Sequence, residues 1–284
     1  MRQELHSRLI QVKQGISEFT FANLYLFRDT YDYKAALLPD GQPVISGVKN
    51  NEPFIMLPFG IPEDNELLYS FFDKHIYIKN LAQEFVQKHQ ISLEQMGFCI
   101  VEDRDNFDYM YLRKELANLE GKKYHKKRNL VKQFINNYEY REEKINKDNL
   151  SDVYLVLDQW IQSKDDCGDA VAAKEALDRI EELELCGYVY YVDSTPAAYV
   201  LGEPLARGKG FVVHFEKAVG SYKGIYQFIN KAFASILPSK FSFINREQDL
   251  GDQGLRQAKM TYRPSGFVKK YRVYVEPTCP CPSE

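Results

Sequence analysis

A chain of 284 residues with 44% hydrophobic and 27% charged side chains carries enough apolar material for two modest cores and does not have the composition of a disordered polymer. No apolar run approaches the roughly 20 residues that a membrane helix needs, and the opening M-R-Q-E-L-H-S-R-L-I lacks an uninterrupted hydrophobic segment of signal-peptide type, so a cytoplasmic protein is expected. The formal net charge of -3 conceals a regional imbalance: residues 122–132 hold six Lys or Arg and no acid, whereas residues 148–184 hold eleven acids against three bases.

The first helix is expected to end near Gln14, and F-T-F-A-N-L-Y-L-F-R-D after it is compatible with a strand or a buried helix. Short apolar runs at 33–38, 43–48 and 53–58, separated by P-D-G and K-N-N-E turn signals, predict an antiparallel meander. Helical stretches follow at 66–72 and 80–89, then strands at 97–101 and 107–112. One long helical segment is expected over 113–138, its first part being the basic run K-K-Y-H-K-K-R-N. The bland account of that run is a solvated helix face. The sharper one makes Lys122, Lys123, Lys126, Lys127 and Arg128 contacts to a phosphate backbone or anionic headgroups.

Val153, Val156, Leu157, Trp160 and Ile161 recur at helical spacing and predict a helix over 150–162 with Trp160 in the core. A second helix is expected at 171–185, strands at 187–192, 196–202 and 210–218, and an amphipathic helix at 224–237. The strand 241–245 then leads through I-N-R-E-Q-D-L-G-D-Q-G-L-R-Q-A-K-M-T-Y-R-P to a short helix stopped by Pro264, and a last strand covers 267–275. Leu255, Ala258 and Tyr262 are expected on the packed face of that short helix, with Arg256, Lys259 and Arg263 on the adjoining one.

Each half thus runs through three antiparallel strands, a helix and a further strand. This order matches the acetyltransferase-like core and predicts an α/β (α+β) protein of two tandem GNAT-type domains, each with a mixed, mostly antiparallel sheet flanked by helices. The expected boundaries are 1–112, a basic connecting helix 113–145, a second domain 146–276 and a loose tail 277–284. Five cysteines, three of them far apart, do not read as a disulfide framework, and the terminal C-x-C (Cys279, Cys281) is a weak metal signal, so reduced thiols and no metal site are expected.

Strand alternation over 210–218 puts His214 and Glu216 side by side, able to orient a base or bind an amine, and Lys217 at the surface; a polar pair satisfied inside the fold uses the same residues. Acyl transfer requires deprotonation of an acceptor, a hold on the oxyanion and exclusion of water. Glu247 and Asp249 suit the first need, and Asn245, Arg246, Arg256, Lys259, Tyr262 and Arg263 suit the second or the binding of donor phosphates. His214, Glu216, Glu247 and Asp249 are the catalytic candidates, expected to line one groove with Arg256, Lys259 and Arg263. The turn V-G-S-Y-K-G before the amphipathic helix is a degenerate version of the pyrophosphate-binding turn of coenzyme A enzymes. No H-E-x-x-H, G-x-S-x-G or Walker loop is present, which argues against zinc proteases, α/β-hydrolases and P-loop enzymes.

The segment Ile244–Pro264, with G-K-K-Y-H-K-K-R-N (121–129), V-V-H-F-E-K-A (212–218) and F-T-F-A-N-L-Y-L-F-R (19–28), resembles soluble bacterial members of the phosphatidylglycerol lysyltransferase C-terminal domain family across nearly the whole chain. The resemblance implies a soluble aminoacyltransferase that takes an aminoacyl group from charged tRNA to a lipid headgroup, peptide or small amine, with possible contact at a membrane surface and no cofactor. The alternatives are an acyl-CoA-dependent N-acyltransferase, for which coenzyme A would be the donor, and a non-catalytic tRNA- or nucleic-acid-binding protein. The lipid-modifying relatives carry a large transmembrane portion absent from this sequence.

Overall fold

A computed structural model describes residues 2–164, 168–276 and 278–280. The chain divides into two compact units, both discontinuous: unit one comprises 1–108, 248–252 and 267–284, and unit two 109–247 and 253–266. The division differs from the expected continuous one because Lys270–Val275 return to the first sheet and the residues from Tyr109 onward already build the second. Sequence proximity alone does not encode either exchange.

Unit one begins with α1 (Arg2–Leu9) and α2 (Phe21–Leu26), followed by β1 (Lys34–Leu37), β2 (Pro43–Lys49), β3 (Glu52–Met56), α3 (Asn65–Ser70), β4 (Tyr77–Ala82), α4 (Gln83–Gln95) and β5 (Phe98–Glu102). The ambiguous segment after Phe19 is helical because the Thr20 hydroxyl accepts the Asn23 N–H (3.2 Å) and caps α2. The meander β1-β2-β3 forms as expected and β4 then lies parallel to β3. The expected helix over 80–89 is corrected at its start, where the chain is still strand. Ile55, Ile78, Leu81, Val86, Phe98 and Val273 are among the residues of the core between sheet and helices.

Unit two contains β6 (Asp108–Leu112, its first residue counted in unit one), α5 (Arg113–Asn118), α6 (His125–Asn137), β7 (Tyr140–Lys144), α7 (Leu150–Gln162), α8 (Ala170–Asp178), β8 (Cys186–Val192), β9 (Thr195–Leu205), β10 (Gly210–Ala218), α9 (Ile225–Ile236), β11 (Phe243–Asn245) and α10 (Gln253–Met260). The expected long basic helix is two helices. Leu119 takes a left-handed φ of 52° and Gly121 one of 83°, which ends α5 and restarts the chain as α6. Strands β7, β8, β9 and β10 run antiparallel, and α9 carries the chain over to β11, parallel to β10. Two last strands, β12 (Gly266–Val268) and β13 (Lys270–Val275), close the chain. The sheet orders are β1-β2-β3-β4-β13-β5 and β12-β6-β11-β10-β9-β8-β7. The meander, helix and parallel strand of an acetyltransferase-like core therefore occur twice.

Three local expectations change. Strand β13 pairs with β5 so that Tyr274 lies opposite Cys99, and the chain beyond it bridges Cys279 to Cys99; Cys279 is thus neither a free thiol nor part of a loose tail. Cys167 and Cys281 lie outside the described residues. Lys217 is buried, not at the surface, paired with Asp169 and lying 3.7 Å from the ring centroid of Trp160, which is itself only half-buried. Among the described residues no helix is long and apolar enough to cross a membrane, and no cluster of His, Cys, Asp and Glu could hold a metal ion.

Helix α9 is seated by its N-cap, Gly224, whose φ is 89° and whose absent Cβ would lie 2.4 Å from the Leu130 carbonyl oxygen of α6. Phe228 one turn later stacks on Phe134 at 4.5 Å. Gly224→Ala is expected to destabilise the fold by more than about 1 kcal/mol, since it combines an unfavourable φ with a backbone clash; an unchanged denaturant midpoint would refute this packing account.

Candidate active site

The parallel pairing of β10 with β11 spans only Gly210↔Phe243, Phe211↔Ile244 and Val212↔Asn245, whereas β10 runs on against β9 to Ala218. The two strands part beyond Val212, and a bulge between Val213 and Phe215 falls on His214. Both candidates of this strand, His214 and Glu216, lie on the parted stretch. The other strand ends at Asn245 and is followed at once by Arg246 and Glu247. Glu247 adopts a left-handed φ of 53°, held by its N–H donating to the Asn245 Oδ1 (2.7 Å).

Two carboxylates enclose the His214 ring. Nδ1 lies 2.8 Å from Glu247 Oε1 and Nε2 3.0 Å from Glu203 Oε1. Only the doubly protonated ring lets both nitrogens donate. Burial favours the neutral imidazole, but the hydrogen bonds and charges of Glu203 and Glu247 outweigh it and push the pKa up to about 10. At neutral pH His214 is therefore an imidazolium that fixes Glu247.

Arg246 donates from Nη2 to Glu216 Oε1 (2.9 Å), and Asn230 of α9 donates to Glu216 Oε2 (2.9 Å). Burial pushes the Glu216 carboxyl up, partly offset by the Arg246 charge. The Arg246 guanidinium lies 5.1 Å from the Tyr262 ring centroid and 5.9 Å from that of Tyr111. The Lys127 ammonium lies 3.9 Å from the same Tyr262 centroid. Burial together with the nearby Arg246 charge pushes Lys127 down to about 8. Lys259 donates to the carbonyls of Arg246 (2.7 Å) and Glu247 (3.2 Å), and its own carbonyl accepts from the Tyr111 hydroxyl (2.8 Å). Lys259 is thus a clamp on the turn that presents Arg246 and Glu247.

The remaining candidates have surroundings of their own. Asp249 is wholly buried in unit one, where Arg104 (3.3 Å) and the Gly251 N–H (3.0 Å) donate to it. Asp249 thus belongs to unit one and Glu216 to unit two. Arg256 is half-buried and Arg263 exposed, and α10 buries none of its residues, Leu255 being 41% exposed; Lys259 ties α10 to the turn after β11. The basic run splits by role. Lys123 pairs with Glu115 (2.8 Å), Arg128 donates to the carbonyls of Leu119 and Gly121, Lys127 reaches Tyr262, and Lys122 and Lys126 are exposed.

Sequence reasoning missed Glu203, Asn230 and Tyr111. The first two carried a signal: each is a polar residue inside an otherwise apolar strand or helix face, in L-G-E-P and F-I-N-K.

Imidazole nitrogen NMR is expected to show His214 doubly protonated through pH 8, with Glu203→Gln lowering its midpoint by about one unit or more; a ring that is neutral at pH 7 would refute the enclosure. Because the folded pKa lies above the unfolded value, the stabilisation from this group is complete below pH 6.5 and decays as pH rises through about 10, which denaturation in that window should register.

The chain is similar to several known proteins. An uncharacterised protein of Mycoplasmoides gallisepticum is 28% identical over 182 residues, covering 59% of this chain and 56% of that protein, so the chain matches little more than half the length of this relative. A crystal structure of a conserved protein of unknown function from Bacteroides thetaiotaomicron superposes with a TM-score of 0.86 at 29% identity, covering 97% of this chain and 96% of that one. The structure of L-PGS from Bacillus licheniformis shares the fold, with a TM-score of 0.57 at 13% identity and coverage of 89% and 91%. The family model described as phosphatidylglycerol lysyltransferase, C-terminal, matches residues 10–274, and the chain belongs to that family.

Proposed function

We propose that unit two transfers an aminoacyl group from charged tRNA to an amine or hydroxyl acceptor. The observation that carries this reading is the Tyr262 ring bearing two cations, Arg246 and Lys127, beside the partly buried Glu216 carboxyl. An aminoacyl ester brings to such a place a polarised carbonyl and a nearby phosphodiester. The acceptor heteroatom bonds to the ester carbon, the bond from that carbon to the ribose oxygen breaks, and the proton lost by the acceptor ends on the ribose oxygen. Lys127, poised near pH 8, is suited to take that proton in its neutral form and return it. Arg246, held by Glu216 and remaining a cation, is suited to the charge developing on the carbonyl oxygen. Lys122 and Lys126, exposed on and just before α6, offer the tRNA backbone two cations not engaged in ion pairs with described residues.

Purified protein with a panel of charged tRNAs and lipid, peptide and small-amine acceptors is expected to deplete the aminoacyl ester and yield an acceptor heavier by one residue in mass spectrometry. Lys127→Met should lower the rate by about 10²–10⁴, and Arg246→Lys, which cannot reproduce the planar fork on Glu216 and Tyr262, by about 10². The wild-type rate should climb with pH through about 8 and level above it, because the neutral amine accepts the proton. Absence of transfer with every pair would remove the proposal. Replacing Lys122 and Lys126 by Ala should reduce the slope of log affinity for tRNA against log salt by about one per residue; an unchanged slope would place the tRNA elsewhere.

A further inference from the structure

Unit one repeats the parting of parallel strands. Strands β3 and β4 pair as Phe54↔Tyr77, Ile55↔Ile78 and Met56↔Lys79, and the pairing ends there. The next residue, Asn80, has a left-handed φ of 59°, which breaks the strand alternation. Lys79 and Asn80 consequently both reach the Phe54–Met56 face of β3: the Lys79 ammonium lies 5.0 Å from the Phe54 centroid and 5.3 Å from that of Tyr31, and the Asn80 amide donates to the Met56 sulfur (3.3 Å).

The two side chains are 2% and 1% exposed, yet polar capacity is left over on both. Asn80 Oδ1 is buried without a hydrogen-bond partner, and Lys79 has no hydrogen bond or ion pair with any described residue. Such groups are costly unless something satisfies them. Glu18, whose charge bears on Lys79, is itself paired with Lys270, which also donates to Asp108 (2.7 Å).

From this the geometry points to a second binding site in unit one, at the parting of β3 and β4, for a small neutral amide whose carbonyl accepts from Lys79 and whose N–H donates to Asn80 Oδ1, with Tyr31 and Phe54 against its plane. A carboxylate would satisfy only Lys79, and an amine only Asn80. An amide satisfies both, and the carboxyl ends of parting parallel strands are where open α/β sheets admit ligands. Burial holds the Lys79 amine down near 8 despite the charge of Glu18, consistent with an ammonium in want of a close acceptor. Amide binding here does not depend on transfer chemistry in unit two.

Saturation-transfer NMR on the full chain, with N-acetyl amino-acid amides and short blocked peptides as probes and the matching free carboxylates and amines as controls, tests it. Saturation of the amide probes is expected, with roughly tenfold weaker binding in both Lys79→Met and Asn80→Gly. Asn80→Gly keeps the left-handed backbone accessible and so isolates the lost Oδ1 from a folding defect, even where Lys79→Met fails to fold. No amide binding, binding that survives Asn80→Gly, or preference for the charged controls would each overturn the site. An ordered water as the sole occupant of a crystal soaked with the probes would do the same.

Discussion

The ion pair of Glu216 and Arg246, whose side chains are only 13% and 15% exposed, is the constraint on which the second unit's site rests. Removing two charges from water costs several kcal/mol per ion in real proteins, and the attraction between them offsets that only where the remaining lone pairs and protons are also satisfied. Asn230 supplies the second hydrogen bond to Glu216, and Tyr262 and Tyr111 lie beside the guanidinium. The pair can form only because β10 continues past the end of its pairing with β11: Glu216 comes from the continuing strand and Arg246 from the chain that has turned away. Any change that closes the parted strands would leave one of these charges buried without the other.

The same logic orders the residues around the pair. His214 is locked as a cation between two carboxylates and thereby fixes Glu247, while Lys259 holds the carbonyls of Arg246 and Glu247. Neither residue needs to touch a substrate to matter. They hold an αL turn at Glu247 that a non-glycine residue adopts only when its surroundings impose it. Lys127 differs in kind, because its ammonium rests on an aromatic face and no carboxylate among the described residues pairs with it, which leaves it titratable near neutrality.

How much of this was legible in the sequence depended on whether the information was local. Helices α7 and α9 announced themselves by apolar spacing, and β10 by its run of buried residues. The segment around Arg246 stood out as a concentration of charge after an apolar strand. Neither β4 nor β7 is foretold by the sequence: Lys79 and Asn80 interrupt the apolar pattern of β4, and β7, Y-R-E-E-K, has no apolar face to betray it and is defined by its pairing to β8. The break at Leu119 requires a left-handed conformation that leucine seldom adopts, so nothing local foretold it. The discontinuous units, the Cys99–Cys279 bridge and the withdrawal of Asp249 into unit one are all long-range pairings, for which spacing along the chain holds no information.

The two units share a strand plan and differ in how its buried charges are paired. Each ends its parallel pair with a cation at the point where the strands separate, Lys79 in unit one and Arg246 in unit two, and each has a buried glutamate within electrostatic reach. In unit two the glutamate binds the cation directly, so that the guanidinium is fixed and one face of the site is set by a planar fork. In unit one Glu18 is taken by Lys270, a residue of β13, and Lys79 is left to aromatic faces. A single strand supplied late in the chain thus decides which partner the glutamate takes. The same fold element therefore yields a rigid, charge-paired site in one unit and an unsatisfied donor in the other.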